Sequence, residues 1–151
     1  MKEYLNNEEA NKEAFIEGGW FKTGDEGYIN ENGKLVVTGR IKDIIYIGNN
    51  KIYPNEITDV VQLHPTVQTT GCVSITDLTN TNVVVLFVKW KQHEDDDSQL
   101  IKDLKEYCEK NLPSYAVPSY IFSIKEFPAN TFGKIFNPTL RKIARQKING
   151  E

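Results

Sequence analysis

Two long runs of apolar and β-branched residues lie in the middle of the chain, at residues 67–76 and 82–90. Polar residues that favour turns bound both runs, and segments of this length and composition are typical of buried strands. Residues 120–124 repeat the pattern over a shorter stretch. The hydrophobic pattern therefore predicts about three longer strands, which we expect to be antiparallel.

Three further segments carry apolar residues at the spacing of a helix. The first begins at Pro54, which favours the first turn of a helix, and ends before His64-Pro65. The second covers residues 98–111, with Ser98 as its expected N-cap, and the third runs from about residue 138 to residue 147. A more polar helix is expected near residues 8–15, where Glu8 and Glu9 favour a helix start.

Two turns complete the pattern. Residues 30–33 (Asn-Glu-Asn-Gly) separate short strands at residues 26–30 and 34–38, because an Asn-Gly pair tolerates positive φ angles. Gly39-Arg40 is interpreted as a break after the second strand. Gly48-Asn49-Asn50 joins a second hairpin in the same way. The chain is therefore expected to be α+β, with a short hairpin, about three longer antiparallel strands and about three helices after an initial hairpin.

Composition and charge argue against several classes of protein, among them nucleic-acid-binding and membrane-spanning proteins. A length of 151 residues suits one domain or a small domain with an extension, and a net charge of −3 lacks the basic surface expected of a nucleic-acid-binding protein. No apolar run approaches the ~18 residues of a membrane span. Cys72 and Cys108 are interpreted as reduced thiols, and with no secretion signal or C-terminal peroxisomal tripeptide they predict a cytoplasmic protein. No metal site is predicted, because no cluster has metal-ligand spacing.

Three short motifs contain candidate functional residues. Asp25 ends a Thr-Gly-Asp motif and could accept both hydroxyls of a ribose, or could be an ordinary turn residue. Arg40, in a Gly-Arg-Ile-Lys-Asp motif, offers a planar set of donors for ribose or phosphate oxygens, or could be a charged strand edge. Lys134 ends an Asn-Thr-Phe-Gly-Lys loop that is expected to be mobile. It could follow charge that develops on a carboxylate and a phosphate, or could be a solvated lysine.

In this order, the motifs resemble the C-terminal part of the AMP-forming acyl- and aryl-CoA synthetases, the superfamily that includes luciferases and 4-coumarate–CoA ligases. Residues 19–28 are similar to the family block Gly-Trp-x-x-Thr-Gly-Asp-x-Gly-Tyr, and residues 39–57 to Gly-Arg-x-Lys-Asp-x-Ile followed by Pro-x-Glu-Ile. Residues 112–118 resemble Leu-Pro-x-Tyr-x-Val-Pro, and residues 128–134 resemble the terminal Pro-x-x-x-x-Gly-Lys. The resemblance covers nearly the whole chain.

The resemblance implies a role for each matching residue. Lys134 would be the catalytic lysine of adenylation, Asp25 would hold the ribose hydroxyls of ATP, and Arg40 would contact the ribose and phosphate region. Lys42 would be the hinge about which the C-terminal domain turns, bringing the Gly48-Asn49 turn to face CoA. The implied enzyme adenylates a small-molecule carboxylate, releases pyrophosphate and transfers the acyl group to CoA. ATP, CoA and Mg²⁺ are the implied cofactors, with Mg²⁺ held mainly by another domain.

Several positions depart from the family pattern. Asn49 stands where the family has glycine. Because asparagine tolerates the left-handed conformation, the turn is expected to form, although the side chain could obstruct the pantetheine arm of CoA. Tyr46 replaces a second lysine, and Phe132 replaces a small residue. The thiol-transfer step therefore stays open, with a luciferase-like oxygenation or transfer to a carrier-protein thiol as the alternatives.

The resemblance also predicts a domain organisation. Residues 1–41 are similar to the last segment of the large N-terminal AMP-binding domain, and residues 42–148 to the C-terminal domain. Met1 matches an internal methionine of the family, and the phosphate-binding loop and acyl pocket of the large domain have no counterpart in the sequence. The chain is therefore interpreted as a fragment of an acyl-CoA synthetase that is inactive alone. A truncated, non-catalytic domain is the remaining alternative.

Overall fold

A computed structural model describes residues 1–92 and 96–150. The chain divides into two compact units, Met1–Lys42 and Asp43–Glu151. The α+β class predicted from the sequence is confirmed. No helix in the described parts of the chain is long and apolar enough to cross a membrane.

The first unit consists of a short helix and two small hairpins. Helix α1 (Glu8–Ala14) is followed by the paired strands β1 (Phe15–Ile16) and β2 (Trp20–Phe21), and then by β3 (Asp25–Ile29) and β4 (Leu35–Arg40). The break predicted at Gly39-Arg40 is wrong, because β4 continues through both residues and Arg40 pairs with Asp25. A bulge between Glu26 and Gly27 adjusts the register of this ladder.

The first unit has no buried apolar side chain among its residues. Instead, most of its large apolar side chains are exposed, and several of them belong to the β3–β4 hairpin: Tyr28, Ile29, Leu35 and Val37. A two-stranded hairpin is at best marginally stable in water unless a third element covers it. The apolar surface of this hairpin therefore lacks the core that an independently stable sheet requires.

The second unit is built on a three-stranded sheet of β7 (Val67–Thr76), β8 (Asn82–Trp90) and β9 (Tyr120–Ser123). It also contains the hairpin β5 (Ile45–Ile47) and β6 (Asn50–Ile52). Its helices are α2 (Pro54–Gln62), α3 (Ser98–Asn111) and α4 (Asn137–Asn149), and it contains a 3-10 turn at Ser114–Ala116. A further 3-10 turn, Ile41–Asp43, spans the boundary between the two units.

The pairing of β9 differs from the expectation of three antiparallel strands. Strands β7 and β8 are antiparallel, but β9 runs parallel to β8, with Val85 opposite Tyr120. The reason is the connection: a crossover that contains α3 lies between β8 and β9, and a helical crossover of this kind joins parallel strands, whereas a short turn joins antiparallel ones.

Alternating residues of the sheet contribute to two separate apolar layers, as the period of a strand requires. In β8, Val84, Leu86 and Val88 pack in a layer with α2, α3 and the β5–β6 hairpin. Val85 and Phe87 pack on the opposite face with Leu140 and Ala144 of α4. The sheet is therefore covered on both faces, and α4 supplies Leu140 and Ala144 to the second layer.

Both cysteines are buried in the first of these layers. Burial raises the pKa of the Cys72 thiol to about 12 and that of the Cys108 thiol to about 11, from an ordinary value of 9.0. We expect neither thiol to react with iodoacetamide at pH 8.5 in the folded chain, and both to react in urea. As the pH rises, the thiols of the unfolded chain lose their protons before the thiols of the folded chain do. The stability contributed by these neutral thiols is therefore present below pH ~9 and lost as the pH rises through the folded-state pKa values. Rapid labelling of the folded chain, followed by mass spectrometry, would contradict this expectation.

Candidate active-site residues

Asp25 and Arg40 face each other at the end of the β3–β4 ladder. The Arg40 Nε and Asp25 Oδ1 atoms are 2.8 Å apart, and Arg40 Nη1 donates a hydrogen bond to the Thr23 carbonyl at 3.0 Å. The Thr23 hydroxyl accepts from the Asp25 backbone N–H at 3.1 Å. The structure thus brings together two residues that the sequence placed 15 positions apart (40 − 25) and predicted to contact the same nucleotide.

This pair is accessible to a ligand. The Arg40 side chain is 56% exposed and the Asp25 side chain 32% exposed. Gly24 has a φ angle of 74°, which favours glycine, and it turns the backbone tightly beneath the Arg40 guanidinium. A carboxylate and a guanidinium held side by side offer an acceptor and donors to the hydroxyl and phosphate oxygens of a nucleotide.

Lys134 lies in a compact, hydrogen-bonded turn. The Asn130 backbone N–H donates to the Lys134 carbonyl at 2.8 Å, and the Gly133 N–H donates to the Asn130 carbonyl at 2.9 Å. The Asn130 side-chain oxygen accepts from the backbone N–H groups of Phe132 at 2.9 Å and Lys134 at 3.0 Å. Four hydrogen bonds therefore define the backbone around Lys134.

The two ends of this turn are tied to the core of the second unit. Ala129 and Ile135 form an isolated β-bridge, and the Phe136 N–H donates to the Pro128 carbonyl at 2.8 Å. Ile135 and the preceding Phe127 pack against the apolar layer that contains Phe87. Both ends of the turn are therefore anchored to the apolar core of the second unit.

The Lys134 side chain itself projects without a partner. It is exposed and forms no hydrogen bond or ion pair with residues 1–92 or 96–150. Phe132, at the tip of the turn, is 85% exposed. A fixed backbone with a free ammonium group can deliver positive charge to an incoming anion without first breaking an internal ion pair.

The same turn occurs twice more among the described residues. In residues 30–34, the Asn30 side-chain oxygen accepts from the N–H groups of Asn32 and Lys34 at 3.0 and 2.9 Å, and Gly33 has a φ angle of 71°. In residues 77–81, Asp77 accepts from Thr79 and Thr81 at 2.9 and 3.1 Å, and Asn80 has a φ angle of 61°. In the turn of Lys134, the corresponding φ angle, at Gly133, is 76°.

Lys42 is exposed within the 3-10 turn Ile41–Asp43, and its neighbour Asp43 is held firmly. Arg141 of α4 donates from Nη2 to Asp43 Oδ1 at 2.8 Å, and both side chains are largely buried, at 28% and 17% exposure. The first residue of the second unit is therefore connected to its last helix. Sequence reasoning missed this pair, since 98 positions separate the two residues.

The Gly48-Asn49 turn closes the β5–β6 hairpin, with Ile47 opposite Asn50. Gly48 has a φ angle of 58°, whereas the φ angle of Asn49 is not positive. The turn therefore forms as expected, and it does so without a left-handed conformation at Asn49. A two-residue turn with positive φ only at its first position is type II′, which requires glycine at that position and not at the second.

Asn130 is the residue of the Lys134 turn that sequence reasoning missed. The signal was present, because the spacing from Asn30 to Lys34, recognised as a turn, is identical to the spacing from Asn130 to Lys134. The described residues contain no group of three or more His, Cys, Asp or Glu side chains that could hold a metal ion. No hydrogen bond or ion pair within those residues joins Lys134 to the Gly48-Asn49 turn.

Comparison with known proteins identifies relatives of the whole chain. Residues 56–134 match the family described as the AMP-binding enzyme C-terminal domain. The 2-succinylbenzoate–CoA ligase of Geobacillus sp. (strain WCH70) is 37% identical over 149 residues, which are 99% of this chain and 30% of that ligase. The long-chain-fatty-acid–CoA ligase FadD13 of Mycobacterium tuberculosis is 34% identical over 142 residues, which are 94% of this chain and 27% of that ligase.

Solved structures share the fold. The o-succinylbenzoate CoA synthetase MenE of Bacillus subtilis, in complex with the acyl-adenylate intermediate OSB-AMP, superposes with a TM-score of 0.81 and 32% sequence identity. The match covers 93% of this chain and 28% of that structure. The chain therefore spans less than a third of the length of these relatives.

Proposed function

This chain belongs to the AMP-binding enzyme C-terminal domain family, and from this premise we propose that it is the C-terminal portion of an ATP-dependent acid–CoA ligase. The observation that carries the proposal is the exposed, unpaired Lys134 on its hydrogen-bonded turn. The resemblance assigns this lysine to catalysis, and its geometry suits an ammonium that must reach a substrate outside its own unit.

In the proposed first step, a carboxylate oxygen of the substrate attacks the α-phosphorus of ATP, and pyrophosphate leaves with the electrons of the broken P–O bond. Negative charge is shared between the carboxylate and the α-phosphate oxygens at the transition state. The Lys134 ammonium stabilises this charge by hydrogen bonding, which is the kind of interaction that contributes most to such reactions. Asp25 accepts the ribose hydroxyls, and Arg40 orients the ribose and phosphate region.

In the proposed second step, a thiol attacks the acyl carbon and AMP leaves, so that a thioester forms. Lys42 is the proposed hinge, and rotation there withdraws Lys134 and presents the Gly48-Asn49 turn to CoA. The type II′ geometry supports this assignment, because it allows the turn to form with asparagine at position 49. The described residues offer no metal-binding cluster, so no step is assigned to Mg²⁺, whose place would be on the ATP phosphates and the large domain.

We further propose that residues 1–41 complete a large AMP-binding domain, while residues 42–148 form the mobile C-terminal domain. The exposed apolar residues of the β3–β4 hairpin and the absence of buried apolar side chains from Met1–Lys42 support this division. The large domain would supply the acyl pocket and the rest of the ATP site. The 151 residues alone are then expected to form no acyl-adenylate.

A chimera tests the proposed function. The matched C-terminal portion of the Geobacillus 2-succinylbenzoate–CoA ligase is replaced by this chain, and adenylate formation is followed by ATP–pyrophosphate exchange with 2-succinylbenzoate. We expect exchange by the chimera, no exchange by the chain alone, and thioester formation when CoA is added. A folded chimera that binds ATP and the acid but catalyses no exchange would contradict the proposal. Exchange without thioester formation would restrict the proposal to adenylation and favour a different acceptor thiol, such as a carrier protein.

A further inference from the structure

Asn130 makes contacts that determine the backbone position of Lys134. Its half-buried side-chain oxygen accepts two backbone N–H groups, one of which is that of Lys134 itself, at 3.0 Å. Its own N–H donates to the Lys134 carbonyl. Both backbone groups of Lys134 are therefore bound to one residue four positions earlier.

The repeated turns show which of these contacts depend on the side chain. In all three turns the first residue is Asn or Asp, its side-chain oxygen accepts from the residues two and four positions later, and the fourth residue has positive φ. The residues between vary, from Glu-Asn to Leu-Thr to Thr-Phe. The three turns therefore share two features: an Asn or Asp side chain at the first position, and a residue that tolerates positive φ three positions later.

We propose that Asn130 is a positioning residue for Lys134: its side-chain oxygen fixes the direction in which the lysine leaves the turn. The inference rests on the proposed catalytic role of Lys134. The Lys134 ammonium is separated from its backbone by four rotatable bonds, so the turn provides the fixed point from which the ammonium is delivered. Misplacement of a reacting group by ~1 Å can reduce the rate ~100-fold.

A turn that serves only stability is the competing interpretation, and the chain contains its own control. Asn30 makes the same hydrogen bonds in a turn that ends in Lys34, a residue with no proposed role. If the side-chain contacts serve stability alone, Asn30→Ala and Asn130→Ala will have similar consequences. If Asn130 positions a catalytic lysine, only Asn130→Ala will affect adenylation.

The test uses Asn130→Ala, Asn130→Asp and Asn30→Ala. In the 151-residue chain, we expect Asn130→Ala to shift the NMR amide resonances of Phe132 and Lys134. In the chimera, we expect it to lower the kcat of ATP–pyrophosphate exchange about 10- to 100-fold with KM for ATP changed less than about twofold. Asn130→Asp keeps an acceptor oxygen, as Asp77 does in its turn, and is expected to restore most of the rate. Asn30→Ala is expected to leave kcat unchanged.

Three results would overturn the inference. The first is an unchanged Lys134 amide resonance in Asn130→Ala. The second is an unchanged kcat in Asn130→Ala, and the third is a kcat that Asn130→Asp fails to restore. Failure of the proposed function is a different result, because exchange would then survive Lys134→Ala itself.

Discussion

Replacement of Lys134 by alanine is expected to slow ATP–pyrophosphate exchange by the chimera about 100- to 1,000-fold, the effect of removing one donor that stabilises developing charge. The ammonium lies on an exposed turn, has no partner among the described residues and is three residues from the start of α4. Its loss therefore removes no hydrogen bond or ion pair with the described residues, and we expect the thermal stability of the chain to stay within the small range of surface substitutions.

In Lys134→Ala, we expect the rate of adenylation to fall while the affinity for ATP is unchanged. Asp25 and Arg40, the proposed nucleotide contacts, lie in the first unit and are untouched by the change, so the affinity for ATP is expected to be retained. Lys34→Ala is the matched control, because it removes the same side chain from the same kind of turn. Equal rates for Lys134→Ala and the unsubstituted chimera would refute the catalytic assignment, as would an equal loss in Lys34→Ala.

Replacement of Phe87 by alanine is expected to lower the free energy of unfolding by about 3–5 kcal/mol. Phe87 is fully buried in the centre of the sheet, where its ring lies 5.8 Å from that of Phe122. The change would leave a cavity beneath α4. Since whole domains are stable by only about 5–15 kcal/mol, this loss would be a large fraction of the total. Urea unfolding followed by circular dichroism measures it.

Phe132→Ala is the matched control for this second prediction. It removes the same aromatic ring from a position that is 85% exposed, and we expect a change within about 0.5 kcal/mol. Phe87 also packs in the layer with Phe127 and Ile135, which flank the Lys134 turn, so its loss should broaden the NMR resonances of that turn as well. Similar destabilisation by the two phenylalanine variants would contradict the described burial.

The limits of β7 and β8 could be predicted closely because they depend on the residues of each strand and on the turn residues beside it. Residues 67–76 and 82–90 were predicted as strands and form β7 and β8 with the same limits. Here the β-branched runs end at residues that favour turns, and both faces of each strand are buried. The orientation of β9 was not predictable in this way, because it depends on the path of the chain through α3 and not on the residues of β9.

The local geometry of the candidate site was less accessible from the sequence. Asp25 and Arg40 were each identified from the sequence. Their pairing, however, depends on a bulge between Glu26 and Gly27, which no residue pattern predicted. The Lys134 segment was predicted only as a loop with a lysine after a glycine, and the hydrogen bonds that Asn130 accepts from Phe132 and Lys134 were not predicted. The roles of Asp25, Arg40, Lys42, Gly48, Asn49 and Lys134 remain predictions for experiment.

The ion pair between Asp43 and Arg141 has a mechanical consequence. Asp43 directly follows the proposed hinge residue Lys42, and Arg141 lies on the helix that begins three residues after Lys134. In the proposed rotation about Lys42, this pair would tie the residue after the hinge directly to α4. We therefore expect α4 and the adjoining turn of Lys134 to move together when the backbone angles of Lys42 change.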